Sequence, residues 1–281
     1  MKKVRNLARI NLVLPSLRQT WLVVLVTTFL AVLLYLPLNL AIDPTGANIT
    51  DIRTETAPND TAGQHQAQAG NVTELNIMGY STTQSWQGYF GNISGTIQLA
   101  DASDNVLYNW SLADPQGEVY ASTNESITWS NIQCLNFTAT GTLAGGETAG
   151  QVSIYGTNLT QLETRFNINS SDVDGVDETF TLQHGGAGEH DLFYTANQQF
   201  SEGECISTRI FSNAGQGESN KFEEVLLYEP STTSVVFTAL IEPGSVAGYD
   251  ENDYDFEMLV LEDGHGTDVG TTTYYFFVEL E

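Results

Sequence analysis

The chain has 281 residues, with 35 Asp+Glu against nine Lys+Arg, a formal charge of −26 and two cysteines. That charge excludes a nucleic-acid binder, which needs a basic face for phosphates, and two cysteines are too few for a disulfide-scaffold protein. Hydrophobic content of 41% with 10% aromatics excludes a disordered acidic tail, because enough apolar surface is present for a core.

The charge is unevenly placed. Lys2, Lys3, Arg5, Arg9 and Arg18 lie in the basic segment 1–20, and the first acid is Asp43. The 24 residues between Arg18 and Asp43 carry no charge. A run of that length crosses a hydrocarbon core, which takes about 20 helical residues. Residues 21–42 are therefore expected to be a transmembrane helix, the chain's contact with the membrane. Basic residues before the span place the N-terminus in the cytoplasm and the rest outside the cell membrane. A cleaved signal segment is the competing reading. Its n-region would be unusually long here, and Pro37 interrupts the apolar run.

Residues 43–281 hold all 35 acids and four bases (Arg53, Arg165, Arg209, Lys221), a net of −31. Such a density repels itself in ordinary salt, and molar salt shortens the screening length to about 3 Å. An acidic exterior with one lysine points to a salt-loving source.

Residues 43–70 read as an extended stalk: Pro44, Pro58 and a Gln/Ala/Gly run, with few large apolar residues. From 71 the pattern turns to period-2 alternation, the mark of half-buried strands. The first region, 71–170, predicts strands over 72–80, 86–89, 93–99, 106–112, 118–121 and 127–129. Turn signals separate them at Asp101-Ala-Ser-Asp-Asn105 and Asp114-Pro-Gln-Gly117. A short helix is expected over 158–165. The second region, 171–281, predicts strands over 179–182, 206–211, 222–228, 234–241, 254–261 and 272–280. The last run is apolar enough for a central strand covered on both faces. The fold class is mainly β, an antiparallel β-sandwich ectodomain, as one large sandwich or two packed ones.

Cys134 and Cys205 lie 71 residues apart on the expected outer side, where an even pair forms a disulfide. Asn-x-Ser/Thr triplets occur at Asn48, Asn59, Asn71, Asn92, Asn109, Asn124, Asn136, Asn158 and Asn169, all beyond the span. As a set they support an exported glycoprotein.

Catalytic signatures are absent from the sequence. It has no G-x-S-x-G, H-E-x-x-H, P-loop, G-x-G-x-x-G or C-x-x-C. His184, Glu189 and His190 are too few, in a Gly-rich loop, to argue a metal centre. The acids Asp172, Asp174, Asp177 and Glu178 alternate around Gly175, as hard, oxygen-seeking cations require. They lack the distal Glu of a twelve-residue EF loop, and Asp250–Asp255 and Glu262–Asp263 form similar loops. Structural calcium is the one cofactor the pattern allows, against solvated acidic loops as the plain alternative. The aromatics Trp86, Tyr89, Phe90, Tyr108, Trp110 and Trp129 are expected in the core.

Two stretches carry a resemblance. One is Trp86-Gln-Gly-Tyr-Phe-Gly-Asn-Ile-Ser-Gly-Thr-Ile97 with Tyr108-Asn-Trp-Ser-Leu-Ala-Asp-Pro-Gln-Gly-Glu-Val-Tyr120. The other is Phe222-Glu-Glu-Val-Leu-Leu-Tyr228, Tyr254-Asp-Phe-Glu-Met-Leu-Val260 and Tyr274-Tyr-Phe-Phe-Val-Glu-Leu280. Over 71–281 the chain resembles an uncharacterised family of archaeal cell-surface proteins with an N-terminal membrane segment and a β-rich ectodomain. The resemblance implies location and architecture and carries over no catalytic residue. The expected function is thus a membrane-anchored envelope protein, structural or adhesive and not an enzyme. Its partners would be envelope proteins, further copies of itself or surface glycans. Two alternatives stand beside it: a filament subunit assembled by strand donation from 43–80, and a surface carbohydrate-binding module or hydrolase.

Overall fold

A computed structural model describes residues 43–135, 159–180, 190–212, 221–244, 246–264 and 270–280. The expected anchor at 21–42, the sequons Asn136 and Asn158, and the loop residues His184 and Glu189 lie outside them. Among the described residues no helix is long and apolar enough to cross a membrane.

The chain is mainly antiparallel β-structure. Its strands in order are β1 (Thr45–Gly46), β2 (Trp86–Gly91), β3 (Thr96–Ala100), β4 (Val106–Ser111), β5 (Gly117–Ser122) and β6 (Gln133–Cys134). Helices α1 (Leu159–Arg165) and α2 (Val176–Thr179) follow, then β7 (Phe193–Thr195), β8 (Gln198–Phe200) and β9 (Ser207–Arg209). The last are β10 (Glu223–Glu229), β11 (Ser234–Leu240), β12 (Val246–Ala247), β13 (Asp253–Tyr254), β14 (Phe256–Leu261) and β15 (Tyr275–Leu280).

One seven-stranded sheet organises the molecule, in the order β1-β15-β5-β11-β10-β6, with β9 also on β10. β5 and β6 precede residue 170 and the other long members follow it, so the expected border between two β regions runs through a single sheet. Period-2 side chains divide its residues between two cores. Leu226, Tyr228, Val235, Phe237, Ala239, Val119 and Ala121 share one face. Val225, Leu227, Val236, Leu240 and Tyr120 share the other. The first face is covered by the β2–β14 pair, through Met258 and Val260, and by Leu159, Leu162, Phe166, Val176 and Phe180 of the helical segment. The second is covered by the β7–β8 hairpin, through Phe193 and Phe200, and by Trp129 and Ile132. Cover on both sides is why every residue of β10 and β11 is buried.

Two glycines mark close approaches. Gly117 has φ +117°, and a Cβ there would sit 2.2 Å from the Glu279 carbonyl oxygen. A Cβ on Gly95 would meet Leu280 Cδ1 at 2.3 Å. At the base of the β3–β4 hairpin, Gly95 leaves room for the tip of the Leu280 side chain at the end of β15.

Five expectations are corrected. Residues 127–129 form no strand, because Trp129 opens a single 3-10 turn, Trp129–Asn131, that seats its ring in the second core. Residues 72–80 form no strand: every residue from 48 to 84 is exposed, and a short run without a partner edge does not hold strand geometry. Residues 43–70 do not begin as free stalk. Thr45 and Gly46 pair with Val278 and Phe277, and Pro44 is buried. Of the expected strand at 179–182, Thr179 lies in α2 and Phe180 caps it, Gly175 being the N-cap and Asp177 and Glu178 favouring the first turn, while 181–182 lie outside the described residues. The terminal strand β15 is only half-buried, and on its outer edge β1 pairs with just two of its residues.

Candidate functional site

α1 packs Leu159, Leu162 and Phe166 into the first core, and this turns Glu163 inward until it is 3% exposed. Across from it, the turn 172–175 leads into α2 and presents Asp177 and Glu178. Carboxylate oxygens of Glu163, Asp177 and Glu178 lie within 4.8 Å of one another. Gly175 faces the same place: a Cβ there would meet Glu178 Oε2 at 2.4 Å, Glu163 Oε1 at 3.2 Å and the Asp172 carbonyl oxygen at 3.3 Å. Burial raises the pKa of Glu163, the charges of Asp177, Glu178 and Asp172 add to the rise, and the Val176 N–H opposes it. Glu178 is also raised, by partial desolvation and then by its hydrogen bond with Asp177. The donors are hard oxygens, the set that suits calcium.

Of the four acids singled out in the sequence, the structure brings Asp177 and Glu178 to this cluster. The Asp174 carboxylate instead accepts the Thr83 hydroxyl at 2.5 Å, and its carbonyl accepts Trp86 Nε1 at 2.7 Å. Asp172 Oδ2 accepts the Asn169 N–H at 2.8 Å. Glu163 was invisible to reasoning about acidic loops. Its signal was a carboxylate flanked by Leu159, Leu162 and Phe166 at helical spacing. The loop from Asp250 turns on itself: Asp250 accepts from the Asn252 N–H and Tyr254 hydroxyl, and Asp255 accepts from the Ile93 N–H.

A second group of carboxyls lies in the layers of the sheet. Glu224 on β10 is fully buried. Its Oε2 accepts the Leu259 N–H of β14 at 2.8 Å, while Oε1 has no hydrogen-bond partner among the described residues. Burial raises its pKa well above the carboxylate range. Glu257 accepts the Tyr249 N–H at 2.8 Å and is raised to about 7, by burial first. Glu223 accepts the Asp191 N–H at 2.5 Å and is also raised to about 7 by burial, against the pull of Arg209. On the second face Glu118 and Glu279 stand opposite one another on β5 and β15. Both accept the Tyr120 hydroxyl, at 3.3 and 3.1 Å, and Thr195 Oγ1 lies 3.2 Å from it. These carboxyls bind backbone N–H and hydroxyl groups between layers, the arrangement that makes a buried acid tolerable.

Cys134 and Cys205 form a disulfide. β6 and β9 both pair with β10 along one edge, Cys134 opposite Leu227 and Ser207 opposite Val225. The bridge therefore joins two half-strands end to end. His190 is buried beside it. Nε2 accepts the Cys205 N–H at 2.9 Å and Nδ1 lies 2.7 Å from the Asp191 carbonyl, a pattern met by a neutral ring with its proton on Nδ1.

The aromatics divide. Trp129 is buried and Trp86 and Tyr89 pack against the core, as expected. Phe90, Tyr108 and Trp110 are exposed, which corrects the expectation for these three. Among the described sequons, Asn48, Asn59, Asn71, Asn92, Asn109 and Asn169 are exposed. Asn124 is half-buried, and its Nδ2 donates to Ser234 Oγ at 3.0 Å. An open cleft of about 430 Å³ is lined by Arg165, Glu262, Asp263, Thr123 and residues 270–273. Its mix of one cation, two acids and hydroxyls resembles ordinary solvated surface. No protein-family model, curated protein or solved structure matches the chain.

Proposed function

We propose that this chain is an exported archaeal envelope glycoprotein, anchored through residues 21–42, with its acidic β-domain outside the cell. Its role is structural or adhesive rather than catalytic. One observation carries the reading: five basic residues, then 24 uncharged ones, then all 35 acids. That order is what a single-pass, N-in topology requires. The Cys134–Cys205 disulfide supports an oxidising compartment. The test is the N-terminus of the native protein, read by mass spectrometry on membrane and shed fractions. An intact basic start in the membrane fraction agrees with the proposal. A mature chain beginning near Ile42 removes the anchor.

A second reading, a filament subunit joined by strand donation, is favoured by one feature. β1 holds two of the six residues of β15, a short grip that a neighbour's strand could replace by β-augmentation. Heat-stable polymers in shed material would support it, and a strictly monomeric chain at high salt would remove it.

A further inference from the structure

The β3–β4 hairpin is a two-stranded sheet of its own. Its register pairs Ile97 with Trp110 and Leu99 with Tyr108, and places Gln98 opposite Asn109. Cross-strand partners share a face. One side therefore presents Ile97, Leu99, Tyr108 and Trp110, and the other Gln98, Asn109 and a single large apolar side chain, Leu107, which is 81% exposed. The apolar four are 42%, 52%, 59% and 50% exposed, and the Tyr108 and Trp110 rings lie 4.8 Å apart. An isolated hairpin is marginally stable in water. This one has a firm turn, where Asp101 Oδ1 accepts the Ser103 and Asn105 N–H groups, and a seated base, but its apolar face is bare.

Charge indicates what covers it. Residues 43–281 carry a net of −31, yet 75–100 and 105–113 contain no charged residue, and the two acids between them, Asp101 and Asp104, lie in the turn. A basic partner gains nothing from docking here, since carboxylates crowd the rest of the exterior. A second copy meets like charge almost everywhere else, and like-charge juxtaposition opposes contact. The uncharged hairpin is where two such chains can touch. The sequon Asn109 lies on the reverse face, so a glycan there leaves the apolar side free.

We propose that the Ile97–Leu99–Tyr108–Trp110 face is a self-association surface, meeting the same face of a second copy in an isologous contact. The inference goes beyond the envelope reading and does not depend on where the chain resides. A face of this size is well below the ~800 Å² per partner of a standard interface. The contact is accordingly weak, and it strengthens as salt screens the flanking acids. An ionic partner would show the opposite salt dependence.

The test uses the full chain in its native cells, two differently tagged copies being co-expressed and cross-linked before any fractionation. The sequence has two cysteines and both are in the disulfide, so an added thiol is unique. Leu99→Cys is compared with Gln98→Cys on the reverse face, using a short bismaleimide, with a monomaleimide to show that each thiol is accessible. The expected result is a product containing both tags, several-fold more abundant for Leu99→Cys and rising with salt. Adding Tyr108→Ser and Trp110→Ser abolishes it while monomaleimide labelling persists. Equal cross-linking at 98 and 99 overturns the proposal. So does an accessible Leu99→Cys that forms no two-tag product, or is captured only by another protein or shielded by lipid.

Discussion

Cys134 ends β6 and Cys205 lies two residues before β9, and their bond ties the two half-strands that border β10 on one edge. Leu135 and Ile206 complete the joint by exchanging backbone hydrogen bonds with Leu226, which is fully buried. The bridge spans 71 residues, a loop whose closure is worth about 4 kcal/mol in the chain-entropy model. Replacing both cysteines by serine is expected to lower unfolding stability by about 2–4 kcal/mol. Amide exchange should accelerate most in β6 and β9. Denaturant titration and hydrogen exchange in molar salt check both; uniform acceleration would mean the staple acts on the whole sheet rather than on this edge.

The raised carboxyls predict a pH dependence with a definite sign. Glu223 and Glu257 move from an ordinary 4.5 to about 7 on folding. Between those values the folded state holds protons that the unfolded state has released, so stability falls as pH rises through this window. The contribution is fully present below about 4.5 and lost above about 7. Allowing for solvent screening, each group contributes on the order of 1–2 kcal/mol. Glu257→Gln should flatten the profile between these limits relative to wild type. Glu229, lowered by hydrogen bonds from Thr232 and Ser231 that outweigh its burial, works in the opposite direction. The difference between the two proteins, followed by thermal melting, isolates Glu257.

At the cluster of Glu163, Asp177 and Glu178 the acids repel one another. Glu163→Gln is expected to stabilise the chelated protein by about 1 kcal/mol at neutral pH, because it removes a buried charge facing like charges. If calcium binds there, millimolar Ca²⁺ raises the wild-type melting temperature and leaves Glu163→Gln unmoved. Equal shifts in the two proteins would assign the effect to general screening of the acidic exterior.

Glycan occupancy should follow side-chain geometry. Asn109 is exposed, whereas the Asn124 amide is held by Ser234. Site-resolved mass spectrometry of the native protein is expected to find sugar at Asn109 and none at Asn124. Full occupancy at Asn124 would require its loop to open before folding is complete.

Much of the strand content was legible because it is local. Alternation identified β4, β5, β10, β11 and β14 to within a residue or two and began β3 three residues early, and Asp101-Ala-Ser-Asp-Asn105 marked the hairpin turn. The short helix expected over 158–165 matches α1, Leu159–Arg165. Alternation failed at 72–80, because a strand also needs an edge to pair with and the sequence does not name one. It failed for the candidate site as well: Asp177 and Glu178 were visible as acids, but the third member, Glu163, comes from a different element.

The sequence by itself determined the charge order along the chain, the position of the uncharged 24-residue stretch, the cysteine pair and the β class. Each depends on residue type or on neighbours within a few positions. Only the tertiary structure decided that strands from both halves enter one sheet. It also decided that Glu223 and Glu224 are buried with backbone partners, and that Tyr108 and Trp110 remain outside while Trp129 is enclosed. These outcomes depend on which surfaces meet across long sequence separations. A side chain's burial, and with it the cost or tolerance of its charge, is a property of that meeting.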